Sequence, residues 1–427
     1  MIFLLSTLLA IPIFGQLLRV PLFDRIGLMP SDLFVIIILF VWFIKNIQNK
    51  TSLFPVQAFH KQIFWPIFAF FGWAIISLTI NIGYFHLNFS ESFQAFAYYG
   101  RYLSYVLLIF VFLTEMKNIK VSENFWKYLL YIPAFCIALL GFAQLEFFPS
   151  FFALGMHEQG WDPHIGRLLS TWFDPNLLGG YFAFILSILA GDIWNMIKNQ
   201  SLKKRSTSRI ILLSFFFFTI LIALALTFSR GSYLAFIISG FIFTLFVEKR
   251  LLVIGAILLT LLVSFSPRAQ ERIENAAMSA QALFTQTEKT LDPTSRLRVQ
   301  SWSIGIKLFQ ENPVFGVGFN TLKSIQKREW AFMSNSHAGS GIDASFLTVL
   351  ATTGLIGIMS FLWIWTHILQ TAWRKFRQNN NIFAFGVFSG ISGLFAHAVF
   401  VNSLLFNLLL PSLFLAIALV LKKEKYT

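Results

Sequence analysis

Residues 210–247 read IILLSFFFFTILIALALTFSRGSYLAFIISGFIFTLFV, two apolar runs joined by the short polar stretch at Ser229, Arg230 and Gly231. Each run falls within the roughly 17 to 25 apolar residues that a transmembrane helix needs to cross a hydrocarbon core of about 30 Å. The connection is too short for anything but a tight turn, so the two runs are antiparallel neighbours with Arg230 at the tip. Working outward, the same pattern recurs at about 2–18, 29–47, 63–82, 95–114, 127–148, 175–196, 251–266, 344–366, 382–402 and 404–421. The sequence therefore predicts an all-α polytopic membrane protein of about 12 transmembrane helices.

Composition agrees. Of 427 residues, 56% are hydrophobic and 12% charged, far from the shares of a soluble domain. The 53 Phe suit lipid-facing and interhelical packing better than a cofactor site. The net charge of +14 is spread between spans rather than gathered on one solvated surface, which excludes a nucleic-acid partner. Cys136 is the sole cysteine and lies in an apolar stretch, so no internal disulfide or cysteine metal cluster forms. The opening MIFLLSTLLAIPIFGQLLR lacks a basic n-region and a small-residue cleavage site, and reads as the first span.

Charge sets the orientation. With a cytoplasmic N-terminus, the inner connections hold Lys45, Lys50 and Lys61; Lys117, Lys120 and Lys127; Lys198, Lys203, Lys204, Arg205 and Arg209; Lys249 and Arg250; Arg374, Lys375 and Arg377; and Lys422, Lys423 and Lys425. The short outer connections hold only Arg19, Arg25, Arg167 and Arg230. This asymmetry places both termini in the cytoplasm. Three regions follow: transmembrane helices 1–266, an extracytoplasmic loop domain 267–343, and the last helices with a cytoplasmic tail, 344–427.

The loop domain opens with PRAQERIENAAMSAQALF (267–284), whose alternating charges and apolar residues suit a surface helix. In TSRLRVQSWSIGIKLFQENP (294–313), Thr294 or Ser295 caps a second helix and Val299, Trp302, Ile306 and Phe309 form an apolar stripe. Pro313 ends it, and the glycines of VFGVGFN permit a tight turn.

Ionisable residues inside spans are functional candidates by default. Arg101, Glu146 and Asp192 fall near span ends, where snorkelling explains them. Four outer segments stand out instead. GRLLSTWFDPNLLGGYF places Arg167 ahead of Asp174, Pro175 and Asn176, with Asp174 reading as a helix cap. TFSRGSYLAF carries Ser229 and Arg230, the latter reading alternatively as a headgroup anchor. Arg296 and Arg298 sit on the loop helix, where a solvated face is the simpler account. SNSHAGSGIDASFLTVLATTGLIG holds His337 and Asp343 before a span, Asp343 reading also as its cap. Several arginines on one outer face suit phosphate, because the guanidinium fork binds its oxygens bidentately and stays charged. A pyrophosphate leaving group fits, with the histidine or carboxylate serving an acceptor hydroxyl. No HExxH, Walker A or dinucleotide glycine motif occurs, and His86, His157, His164 and His337 lack metal-ligand spacing. A metal at His157, His164 and Asp162 is a weak alternative, so no metal and no cofactor are expected.

In order, RLLSTWFDPN, TFSRG, RVQSW, NPVFGVGFN and FLTVLATTGLIG resemble the O-antigen ligase and O-antigen polymerase superfamily of bacterial envelope polysaccharide enzymes. The resemblance covers about residues 165–365 and the layout of a large outer loop late in a many-span chain. It implies a metal-independent glycosyltransferase of GT-C type in the bacterial cytoplasmic membrane. Its donor would be a polyprenyl-pyrophosphate-linked glycan and its acceptor a sugar hydroxyl on another glycan or lipid-linked glycan. The family's pyrophosphate-binding arginines fall on Arg167, Arg230 and Arg298, with Arg296 an additional candidate and Asp174, Asn176 and Ser229 in support. Many ligases carry a histidine about eleven residues before the glycine matching Gly354. Here Asp343 stands there and His337 lies six residues earlier, so the base is His337 or Asp343, and the departure tilts the resemblance toward polymerase. The competing reading is a multi-span transporter of an anionic lipid or solute. It lacks the midplane polar sites, broken helices and repeated halves that transporters show.

Overall fold

The computed structural model describes residues 1–22, 26–49, 58–118, 121–150, 152, 164–198, 204–250, 270, 293–329 and 341–422. The helices among them are α1 (Ile2–Ala10), α2 (Pro30–Gln48), α3 (Ala58–Tyr84), α4 (Phe89–Asn118), α5 (Glu123–Phe147), α6 (Pro175–Lys198) and α7 (Lys204–Leu226). They continue with α8 (Arg230–Val247), α9 (Pro293–Glu311), α10 (Leu322–Glu329), α11 (Ser345–Asn379), α12 (Ile382–Ala398) and α13 (Leu410–Leu421). Eight of them, α2 to α8 and α11, are long and apolar enough to cross a membrane, while α1, α12 and α13 are shorter apolar helices. The chain is an all-α polytopic membrane protein. The expected span 251–266 and the loop helix 267–284 lie outside the described residues, apart from Gln270.

Two of the expected spans differ from plain crossings. The first, 2–18, is α1 followed by two 3-10 turns, and it runs into a hairpin of β1 (Val20–Leu22) and β2 (Ile26–Leu28) with Pro21 opposite Gly27. The last is α13, whose 12 residues rise only about 18 Å. Every one of them is buried. A helix apolar on all sides belongs in a core, and α13 packs against α1, α4, α5, α11 and α12.

The tightest packing joins α6, α8 and α12, through small residues that let backbones approach in the absence of a hydrophobic drive between helices. A Cβ at Gly386 would lie 2.7 Å from the Ser187 carbonyl oxygen, and one at Gly393 2.4 Å from that of Ala235. This trio fixes the relative positions of the helix ends that build the site below.

On α9 the buried stripe is Ser301, Ile304, Gly305 and Leu308, while Ile306 is 48% exposed. The expected stripe is thus rotated, because Gly305 lets Ile342 and Leu347 close on that face. The helix also begins at Pro293, so Thr294 and Ser295 stand inside its first turn rather than ahead of it.

Two charges near span ends, at Asp192 and Arg101, are held inside the bundle rather than at its surface. Asp192 is 2% exposed and takes Lys127 at 2.8 Å and Arg209 at 3.1 Å. Arg101 pairs with Asp32 at 2.9 Å and donates to the Gly27 carbonyl at 2.7 Å. Neither snorkels; both are matched inside the bundle, as a charge kept from water must be. Glu115, wholly buried, likewise receives Lys45 at 2.8 Å.

Candidate functional site

The N-terminus of α6 is built by its own sequence. Asp174 Oδ1 accepts from the backbone N–H of Asn176 at 2.8 Å and of Leu177 at 3.1 Å, and Pro175 fills the first helical position, where its missing N–H loses nothing. The segment before it is clamped from two sides. Gln144 on α5 accepts from the N–H groups of Leu169 (3.0 Å) and Ser170 (3.2 Å), and Trp172 Nε1 donates to the Pro12 carbonyl at 2.8 Å. The clamp delivers Arg167, only 9% exposed, to the turn between α7 and α8.

That turn is as tight as its sequence demands. The α7 helix ends at Leu226, Phe228 takes a left-handed φ of 47°, and Ser229 caps α8 by accepting from the Ser232 N–H at 3.4 Å. Asn176 ties the two capped ends together. Its Oδ1 accepts from Ser229 Oγ at 2.9 Å and from an Arg167 terminal nitrogen at 3.1 Å, while Arg167 Nε donates to the Thr227 carbonyl at 2.9 Å.

A residue from a third helix completes the cluster. Ser232 Oγ lies 2.9 Å from Ser229 Oγ, 3.1 Å from the Asn176 carbonyl oxygen and 3.3 Å from Nε2 of His397, which is wholly buried near the end of α12. The ring fits because α6 presents glycine: a Cβ at Gly180 would stand 2.6 Å from its Cε1, and one at Gly179 2.4 Å from Ser232 Oγ. Trp302, one turn from Arg298 on α9, packs its ring 5.7 Å from that of Phe400, just past the end of α12, which brings the α9 arginine's helix to this same end of the bundle. Half-buried Arg230 is the first residue of α8, beside the Ser229 cap.

Two helix N-termini, each equivalent to about half a positive charge, thus lie beside Arg167, with Arg230 at the start of one of them and the helix of Arg298 at the same end of the bundle. Such a place attracts an anion of more than one charge.

The segment that supplies Arg230, Arg298 and Asp343, residues 215–362, matches the family model for O-antigen ligase. The chain carries an O-antigen ligase domain. The match supports the superfamily resemblance through the motifs that fall inside it, TFSRG, RVQSW, NPVFGVGFN and FLTVLATTGLIG. No curated protein matches the chain. The ligase match stops short of His397 and begins after Arg167, Asp174 and Asn176, so two parts of the polar cluster come from outside it.

Within the ligase domain, the structure gives NPVFGVGFN and FLTVLATTGLIG a shared architectural task. The α11 helix is broken at Gly354 (φ 68°, ψ −166°), where any Cβ would stand 2.1 Å from the Val314 carbonyl oxygen. The carbonyls freed by the break are taken up: Ala351 and Thr352 accept from the N–H groups of Val317 and Gly318, both at 2.9 Å, and Thr353 from Trp73 Nε1 at 2.8 Å. Pro313 in turn accepts from the Leu355 N–H at 2.9 Å. A broken helix is therefore present, contrary to the expectation of none, but its polar groups serve the loop 312–320 and leave no carbonyl nest for an ion.

The remaining candidates sit apart. Arg296 is exposed, and two positions from Arg298 on a helix it faces another way. Asp343 is exposed; its N–H reaches Ser301 Oγ at 3.3 Å and its carbonyl accepts from Trp302 Nε1 at 3.5 Å, one helical turn beyond Arg298. It does not cap α11, whose cap residue is Ala344. His337, and the weak metal candidates His157 and Asp162, lie outside the described residues. Sequence reading missed His397 and Ser232. A search of spans for formal charge passes over a neutral histidine, although any ionisable side chain in LFAHAVF is a signal.

Proposed function

We propose that this O-antigen ligase domain protein takes a polyprenyl-pyrophosphate-linked glycan as donor and passes the glycan to an acceptor sugar hydroxyl, on the outer face of the bacterial cytoplasmic membrane and without a metal ion. The acceptor oxygen bonds to the anomeric carbon, the bond from that carbon to the pyrophosphate oxygen breaks, and the leaving pyrophosphate keeps the electron pair. Arg167, Arg230 and Arg298, with the α6 and α8 N-termini, neutralise the charge that develops on it. The acceptor proton passes to Asp343 or His337.

The observation that carries this reading is the Arg167–Asn176–Ser229 bridge at one end of α6 and α8, with Arg230 beginning α8 there and α9, which bears Arg298, brought to the same end by Trp302. The positive-inside asymmetry, with both termini cytoplasmic, makes that end the outer one. Asp343 in the place of the ligase histidine favours a polymerase. Exposed beside α9, it is open to an acceptor.

The test is purified protein in detergent with a lipid-linked oligosaccharide, chelator and no nucleotide sugar. A ladder of products is the expected result, and a single transfer step to a lipid acceptor would make it a ligase. Solute counterflow in proteoliposomes with no glycan product would replace the enzyme by a transporter.

A further inference from the structure

We infer that His397 is a positioning residue for this reaction: through Ser232 and Ser229 it fixes the side chain of Asn176, and with it Arg167, at the pyrophosphate site. The inference rests on the transfer reading above and adds to it a residue outside the matched family segment.

The argument is one of proton direction. Arg167 only donates, so the atom of Asn176 that faces it is Oδ1; Ser229 Oγ donates to that same oxygen and takes the Ser232 proton, which leaves Ser232 Oγ to accept from Nε2–H of His397. Nδ1, beside Gly180, is buried with no hydrogen-bond partner among the described residues, which agrees with the proton lying on Nε2. With Nε2–H donating to Ser232 Oγ, the Ser232 proton goes to Ser229 Oγ at 2.9 Å and the Ser229 proton to Asn176 Oδ1 at 2.9 Å. Arg167 can only donate, and it does so to the same Oδ1 at 3.1 Å.

The Ser232 proton has a second acceptor in the Asn176 carbonyl at 3.1 Å, which ties the same residue from its backbone, and the Asn176 amide cannot flip without setting its NH2 against Arg167. Its NH2 group is then the half left to meet a ligand. The glycine at 180, whose Cβ would collide with the ring, keeps the place open for it.

Because the ring is wholly buried, it does not touch substrate, and its removal should act on the chemical step more than on binding. Expected for His397→Leu is a kcat about ten- to a hundredfold lower, the usual loss for an outer-shell partner, with KM for the lipid-linked donor unchanged. His397→Gln, which keeps an N–H near the Nε2 position, should restore most of it. Ser232→Ala should lower kcat similarly, and the double variant should be no worse than either single one.

Equal losses in the Leu and Gln variants, or losses that multiply with Ser232→Ala, would overturn the inference. So would wild-type kcat in His397→Leu, or a loss that merely follows the amount of folded protein by gel filtration and melting. Absence of any transfer by the wild-type protein would instead sink the functional reading, and the inference with it.

Discussion

The α6 helix carries a polar cluster at each end, and the two are made of similar residues to opposite effect. At its C-terminal end, Asp192 takes Lys127, Arg209 and the Tyr131 hydroxyl (3.3 Å), and Lys127 also meets Glu123 at 3.1 Å. Two cations face two carboxylates, and the cluster is complete as it stands. At the N-terminal end lie Arg167, Arg230 and the helix of Arg298, and Asp174 Oδ1 is already committed to the α6 backbone. There two helix N-termini add to the positive side. The difference separates an internal clasp from the end at which the proposed pyrophosphate would complete the balance of charge.

The comparison breaks most readily at the clasp. Asp192→Ala leaves Lys127, 7% exposed, without its buried carboxylate, and truncating one side of such a pair is destabilising by about 3–5 kcal/mol. The expected outcome is a large fall in melting temperature in detergent, with unaltered turnover in whatever remains folded. At the other end the signs reverse. Arg230→Ala and Arg298→Ala should each lower transfer about 10²- to 10³-fold, as loss of one stabilising donor does, while melting stays near wild type. Arg296→Ala, on the exposed side of α9, should transfer normally. Undiminished turnover in the first two proteins would remove the distinction between the ends.

How much of this was legible in the sequence differs between helices and their contacts. Apolar runs announce spans because lipid requires them, and Arg167, Arg230 and Arg298 stand out as the rare charges near outer ends. The cap at Asp174 followed from Asp-Pro before an apolar run. What sequence periodicity could not give is which helices meet. Asp192 reads as a stray end charge until α5 and α7 are seen to bring Lys127 and Arg209 to it, and His397 reads as one polar residue in LFAHAVF until Gly180 opens space for it. For the same reason α13 reads as a span. Only its surroundings make it a core helix.

The break in α11 supplies a smaller test. Gly354→Ala forces a side chain into a backbone region that only glycine occupies, worth roughly 1–3 kcal/mol, and into contact with Val314. Melting should fall while the ratio of kcat to KM in the folded fraction holds, since the loop 312–320 braces the helices without joining the polar cluster. A specific loss of turnover at unchanged melting would instead bring that loop into the site.

The smallest expected effect separates two roles of one residue. As a cap, Asp174 needs only an oxygen that accepts from Asn176 and Leu177, and asparagine supplies one; alanine does not, and its cost at such positions is about 1 kcal/mol. As a charge, Asp174 opposes Arg167, with which it shares Asn176. Asp174→Ala should therefore lower the melting temperature slightly, and Asp174→Asn should restore it. If the carboxylate is there only to cap, Asp174→Asn also transfers glycan normally. If its charge offsets the arginines so that the leaving pyrophosphate can depart, Asp174→Asn should bind pyrophosphate more tightly yet turn over more slowly, by the few-fold that 0.3–1 kcal/mol at a helix terminus represents. The clasp end has no counterpart to this split, because there charge neutrality and structural closure are one and the same requirement.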